Sequence, residues 1–313
     1  MKILVTGGAG YLGSVMVTKL LEKKFSVTVL DNFFFNQFSL ASACKFENFK
    51  LIVGDVRDEG LIKNIINDFD CVIPLAAIVG APLSEKYPDL TREINYDSIK
   101  MLCDKMSPSQ LMIMPVTNSG YGSGKPEKIY TEESPLNPIS TYGVTKVKAE
   151  KIALERLNCI TFRLATVFGM SPRMRIDLLV NNFVYLALKQ KKISIFEGHF
   201  KRNYIHIQDV ADVFIFALEN FNKLKSNTYN FGLEDANLSK MELAEKIQYH
   251  IPELEIIVDE NKKDPDKRNY IVSNKKILST GFKMKWTLDK GIIELIKGLE
   301  SIKNPDNFVN VKK

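Results

Sequence analysis

KILVTGGAGYLG, residues 2–13, decides the fold. The apolar run Ile3-Leu4-Val5 has strand length, and Gly7, Gly10 and Gly13 recur at three-residue spacing where a helical pattern begins near Tyr11. A strand that turns sharply into a helix needs positive φ at the turn. A ligand phosphate needs close approach to the backbone, and glycine meets both demands. The first N–H groups of the helix, around Tyr11, Leu12 and Gly13, then point at that phosphate. A plain glycine-rich turn would meet the same steric demands, but it gives no reason for the next strand, SVTVLD (26–31), to end in an acid.

That acid is Asp31. A carboxylate at this place accepts hydrogen bonds from both hydroxyls of an adenosine ribose and repels a 2′-phosphate. No Arg or Lys lies between Asn32 and Ala43 to compensate, so the segment favours NAD over NADP, with Asn32 assigned to the cofactor beside Asp31. Further apolar runs follow: KLIVGD (50–55), CVIPLA (71–76), QLMIMPVT (110–117) and CITFRLA (159–165). They are nearly continuous rather than alternating, as buried parallel strands read. Helical patterns at 12–23, 59–68, 92–105 and 141–157 separate them. Repeated βα units predict an α/β fold, a Rossmann-like doubly wound parallel sheet with helices on both faces.

After about residue 166 the rhythm changes. The pattern predicts a helix at 177–190, a strand pair near 193–207, helices at 209–220, 239–249 and 288–302, and strands at 228–232 and 255–259. We read residues 1–166 plus about 203–232 as the dinucleotide-binding domain. About 167–202 plus 233–313 form a smaller C-terminal substrate-capping domain, with the tail after Asn304 loosely held.

Composition narrows the function classes. Apolar content of 45% and charged content of 26% are ordinary for a soluble globular chain. The net charge of +6 comes from scattered lysines, which read as a solvated surface rather than a nucleic-acid groove and suit a small anionic substrate. Four dispersed cysteines without CxxC, and three histidines without ligand spacing, suggest neither a disulfide framework nor a metal site. No signal-peptide pattern opens the chain and no run approaches the roughly 20 apolar residues of a membrane span, so a cytoplasmic protein is expected.

STYGVTK (140–146) places Tyr142 and Lys146 four residues apart, on one helix face. An ammonium beside a phenol favours phenolate and makes the tyrosine a general base. Lys146 can also bind the nicotinamide ribose. Thr117 ends the fifth strand, where open α/β sheets bind ligands, and its hydroxyl can hold a reacting oxygen. The blander readings are a shared helix surface for Tyr142 and Lys146, and a strand-end turn former at Thr117.

TGxxGxxG with these neighbours resembles the extended short-chain dehydrogenase/reductase family of nucleotide-sugar epimerases and dehydratases. GDVRD (54–58) resembles the segment in which Asp55 meets adenine and Val56 lies beside the ring. PLAA (74–77) resembles the usual HLAA, which implies cofactor contacts for Leu75, Ala76 and Ala77; Asn95 stands where the family often has a cofactor-contacting Asn. Thr117, Tyr142 and Lys146 match the family's catalytic triad. In the dehydratases the two residues after the Thr supply an acid and a base, whereas here they are Asn118 and Ser119, so dehydration is not expected and both are assigned to substrate binding instead, as is Thr166.

On the substrate side, Thr166 replaces a common Asn of the 4-epimerases. Arg173, Arg175, Asn181 and Asn182 are available to a diphosphate. KRNYIHIQDVAD (201–212) and DPDKRNY (264–270) resemble family segments whose arginines, here Arg202 and Arg268, reach the nucleotide. In them His206 reads as a sheet residue and Asp209 as a helix cap. VTNSGYG, SPLNPISTYG, LATVFGMSPRMR and DKRNYIVSNKK look closest to a capsule-pathway branch of the family that oxidises C4 of GDP-D-glycero-α-D-manno-heptose. That likeness implies a GDP-sugar substrate, NADH that stays bound, a 2-oxo acid or other second oxidant, and a homodimer through the helices 92–105 and 141–157, or a dimer of dimers. A 4-epimerase using the same triad remains the alternative. A non-enzymatic NAD-binding relative is disfavoured because Tyr142 and Lys146 are both kept.

Overall fold

The structure, a computed structural model, describes residues 1–36, 38–124, 128–259 and 269–310. Seven strands form one parallel sheet: β1 (Lys2–Thr6), β2 (Ser26–Asp31), β3 (Phe49–Val53), β4 (Cys71–Pro74), β5 (Leu111–Thr117), β7 (Cys159–Leu164) and β11 (Asn227–Phe231). Their order is β11-β7-β5-β4-β1-β2-β3, so the order reverses between β1 and β4. Side chains alternate along each strand, which divides the core in two. Ile3 and Val5 pack with Met16 and Leu20 of α1 (Tyr11–Glu22) and with Val210 and Phe214 of α8 (Ile207–Glu219). Leu4, on the opposite face, packs with Ile99 and Leu102 of α5 (Ser98–Lys105) and with Ala149 and Ala153 of α6 (Thr141–Leu154). β3 is less buried than its apolar sequence suggests, with Val53 71% exposed, because it is the sheet's edge strand.

The expected helix over 92–105 is broken. α4 (Pro88–Arg92) passes through a wide π turn at Glu93–Asp97 before α5 begins. That turn points Asn95 inward at the chain after β4. Such turns are frequent at functional sites.

The strands near 193–207 do not pair with one another. β9 (Lys192–Ile195) runs parallel to β13 (Glu255–Val258). β10 (Lys201–His206) lies between β8 (Thr166–Phe168) and β12 (Asn237–Ser239). β10 is buried along nearly its whole length and needs a ladder on both edges, which a hairpin with β9 would not supply. The short strands β6 (Ile129–Tyr130) and β14 (Ile271–Val272) pair over a cluster of Tyr121, Tyr130, Tyr270 and Val272.

Residues 305–310 are held, where a loose tail was expected. They include a 3-10 turn at Pro305–Phe308, and the Ile176 amide donates to the Phe308 carbonyl at 2.8 Å. No helix among the described residues is long and apolar enough to cross a membrane, and no cluster of metal-ligating side chains occurs among them.

Candidate active site

Gly7 turns β1 into α1 at φ +70°, with its amide donating to the Leu30 carbonyl at 2.8 Å. A Cβ there would lie 2.5 Å from the Ala76 amide nitrogen, so the two loops touch backbone to backbone. Gly10 differs. A Cβ would meet only the Gly7 carbonyl, at 3.1 Å, because the space above it is open cleft. The cleft follows the carboxyl ends of the strands where their order reverses, the usual ligand site of such sheets. Gly7, Gly10, Tyr11, Leu12, Gly13, Asp31, Asn32, Asp55, Val56, Leu75, Ala76 and Ala77 all line it.

The Asp31 carboxylate accepts from the Ala9 amide (2.9 Å) and the Phe33 amide (2.8 Å). Burial raises its pKa from the ordinary value, and those two amides oppose the rise. One lone pair on each oxygen is left for a ligand hydroxyl. Asp55 is gripped by Arg57 through Nε (3.0 Å) and Nη2 (2.9 Å) and by Asn32 Nδ2 (3.1 Å). Chiefly the Arg57 hydrogen bonds hold its carboxyl down at about 2. Tyr11 spends its phenol on the Gly169 carbonyl (2.7 Å), so its side chain bridges to the turn that follows β8.

Tyr142 and Lys146 line the same cleft, together with Thr117 and Ser119. Ser140 caps α6, its Oγ accepting from the Gly143 amide at 3.1 Å. Glu85 fixes the first turn by accepting from the Thr141 amide (2.8 Å) and hydroxyl (3.0 Å). Lys146 is buried, and that burial lowers its pKa to about 8 against the opposing charge of Glu150 one turn on. Glu150 is itself paired with Arg163 at 3.0 Å, with both side chains buried. Thr117 Oγ1 donates to Ser119 Oγ (2.9 Å) and accepts from the Ser119 amide (3.0 Å). Ser119 therefore orients the Thr117 hydroxyl. The only carboxylates lining the cleft, among the described residues, are Asp31 and Asp55. The site can take a proton from a bound hydroxyl, but among the described residues it offers no carboxylate beside Tyr142.

Several expected contacts lie elsewhere. Asn95 does not line the cleft. Its carboxamide accepts from the Ile78 amide (2.8 Å) and donates to the Ile78 carbonyl (2.9 Å), which fixes the loop after β4. Asn118 is rotated inward by the 3-10 turn Asn118–Tyr121, and neither amide atom has a hydrogen-bond partner among the described residues. Asn181 accepts from the Gly169 amide (3.0 Å) and donates to the Tyr11 phenol (3.1 Å) and the Arg175 carbonyl (2.9 Å), so it is a strut. Asn182, in α7 (Leu179–Gln190), and Arg202, 6.0 Å above the Tyr270 ring, also stand off the cleft wall.

Thr166, Arg173 and Arg175 do line it, with Arg175 paired to Asp177 at 2.6 Å. Arg268 lies outside the described residues. His206 caps α8 and stacks on Trp286 at 3.8 Å, while Asp209 accepts from the Lys285 and Trp286 amides rather than capping its own helix. Phe33–Phe35, Arg57, Ser140, Tyr270 and Asn310 line the cleft without having been singled out in the sequence. The three consecutive phenylalanines after Asp31 were the one available signal.

Residues 3–232 match the pattern of the NAD dependent epimerase/dehydratase family. A UDP-glucose 4-epimerase of Lactobacillus helveticus is 30% identical over 273 residues, 79% of this chain and 82% of that protein. A dTDP-D-glucose 4,6-dehydratase of Dictyostelium discoideum is 31% identical over 271 residues, 79% of this chain and 61% of its own length. The solved UDP-glucose 4-epimerase of Thermotoga maritima, with UDP-glucose, superposes with a TM-score of 0.83 at 25% identity, covering 95% of this chain and 98% of that one.

Proposed function

The chain belongs to the NAD-dependent epimerase/dehydratase family, and on that premise we propose that it oxidises a nucleotide sugar at C4 to a 4-keto sugar. The residues present suit NAD. The open space above Gly10 admits a pyrophosphate, the free lone pairs of Asp31 accept a ribose diol, and Val56 offers an apolar side to adenine. Gly7, Tyr11, Leu12, Gly13, Asn32, Asp55 and Leu75–Ala77 complete its bed. Bound there, the cofactor supplies the acceptor for the hydride that leaves the sugar carbon.

The rest falls to the chain. Tyr142 takes the hydroxyl proton. Lys146 carries its charge below about pH 8 and stabilises the phenolate. Thr117, steered by Ser119, holds the reacting oxygen. Ser119, Thr166 and Arg175 are assigned to the substrate half of the cleft.

One observation carries this reading: the triad shares a cleft in which no carboxylate among the described residues stands beside it. A 4,6-elimination needs an acid and a base there, so chemistry confined to one carbon fits better. The likeness of VTNSGYG and LATVFGMSPRMR to the capsule-pathway branch supports GDP-D-glycero-α-D-manno-heptose as the sugar, capsular polysaccharide synthesis in the cytoplasm as the setting, and retained NADH restored by a 2-oxo acid. It also supports a homodimer through the segments 92–105 and 141–157, which light scattering tests. We assign residues 1–166 plus about 203–232 to the dinucleotide and the remainder to the sugar nucleotide.

The second reading is a 4-epimerase, favoured by the names of two of the three relatives above. Incubation with GDP-heptose, UDP-glucose and dTDP-glucose, followed by NMR of the products, separates the two. The dehydrogenase reading expects a 4-ketone, at no more than one equivalent per bound NAD unless an oxidant is added. Quantitative C4 inversion without an oxidant sinks it.

A further inference from the structure

Arg173 is 2% exposed, yet it lines the cleft. Its guanidinium lies over the Phe35 ring at 4.2 Å, and Nε and Nη2 have no hydrogen-bond partner among the described residues. Asp31 is near enough to act on it electrostatically, but the Asp31 oxygens are engaged by the Ala9 and Phe33 amides. Arg175, its other charged neighbour, repels it, and Asp177 is held by Arg175. Burial and the Arg175 charge push its pKa down to about 10, which leaves it charged at neutral pH.

The backbone around Arg173 is bolted to the first turn of α1. Ser171 Oγ donates to the Tyr11 carbonyl (2.7 Å) and meets Ser14 Oγ (3.0 Å), and Ser14 Oγ accepts from the Arg173 amide (3.4 Å). The backbone that carries Arg173 is therefore held against the same helix end that Gly10 opens to the cleft. A buried cation without a partner is costly, and one that faces a ligand cleft is completed when the ligand brings the opposite charge. With one guanidinium face covered by the Phe35 ring, its unpartnered Nε–Nη2 edge is a planar fork of the shape that suits phosphate oxygens.

We propose that Arg173 is an in-chain clamp on a phosphate of the bound dinucleotide, at the adenosine end of the cleft, and not a contact to the sugar nucleotide. Together with Phe35 it ties the loop after β2 to the bound cofactor and slows its release. The inference rests on a dinucleotide occupying this cleft, but its test does not depend on which sugar is oxidised.

The experiment compares wild type, Arg173→Gln and Arg173→Lys. Calorimetry measures ADP-ribose, adenosine, 2′,5′-ADP, GDP and UDP, and a chase measures NADH release. For Arg173→Gln the expected result is a roughly 10- to 100-fold loss for ADP-ribose with faster NADH release, and no change for adenosine, GDP or UDP. Arg173→Lys, which keeps the charge but loses the fork, should fall in between. If the Gln variant does not fold, the Lys variant decides by its ADP-ribose affinity alone. Unchanged ADP-ribose binding overturns the proposal, as does a loss seen with GDP or UDP, or one confined to 2′,5′-ADP. An Arg173-dependent ADP-ribose site in a protein that oxidises no nucleotide sugar would instead refute the proposed function and leave this inference standing.

Discussion

Replacing Lys146 with Met should make the cofactor-free protein more stable while disabling it. In the folded chain burial lowers the Lys146 pKa from 10.5 to about 8. A difference of about 2.5 units corresponds to about 3 kcal/mol at roughly 1.36 kcal/mol per unit. Below pH 8 the lysine is protonated in both states, so the folded state bears this whole cost and the Met variant escapes it. Between about 8 and 10.5 the unfolded chain holds a proton that the folded chain has released, so wild-type stability rises with pH across that window. The advantage of the variant should accordingly be largest at pH 7, shrink through pH 9 and vanish near 10.5. Urea unfolding of both proteins at pH 7, 8.5 and 10 measures this, with equal m-values as the check that only stability has changed. Activity should fall by roughly 10²- to 10⁴-fold, because the charge that favours phenolate is gone. A variant less stable than wild type at pH 7, or a gap that does not change with pH, would refute the reasoning.

Other outcomes follow from the same geometry. Tyr142→Phe should lose roughly 10²- to 10⁴-fold in turnover with NAD binding kept, read by steady-state kinetics beside cofactor titration. Gly7→Ala and Gly10→Ala should fail differently. The first drives a Cβ onto the Ala76 backbone and should lower the melting temperature of the cofactor-free protein; the second should fold normally and lose NAD affinity. Glu150→Gln leaves Arg163 buried without its counter-charge, a loss of about 3–5 kcal/mol by chemical denaturation, whereas replacing Glu150 and Arg163 together by apolar residues should recover part of it.

The parts of this molecule legible in its sequence are those set by local rules. Continuous apolar runs marked the strands because a central parallel strand is covered on both faces. Gly7 was legible because a tight turn has a steric requirement, and Tyr142 and Lys146 because helical spacing alone places them together. Asn95 and Asn181 resisted reading, since a buried carboxamide serves a ligand or a backbone equally well and only the fold reveals which. The inward turn of Asn118 was not legible either, because a single 3-10 turn after a strand end decides which way the side chain faces. Arg57, which holds Asp55, and Tyr270 and Asn310, which close the wall, carry no pattern that distinguishes them from surface residues.

The cleft's wall is gathered from almost the whole length of the chain, from Gly7 through Tyr142 and Arg175 to Tyr270 and Asn310. During synthesis the glycine turn and Asp31 emerge early, but the opposite wall does not exist until late segments have folded back across the sheet. Contacts of such sequence separation form slowly, because a long loop must close before any of them is rewarded. Partly folded chains should therefore hold the nucleotide weakly, and the cofactor should act late, as a fastener on the finished molecule rather than a template for its assembly.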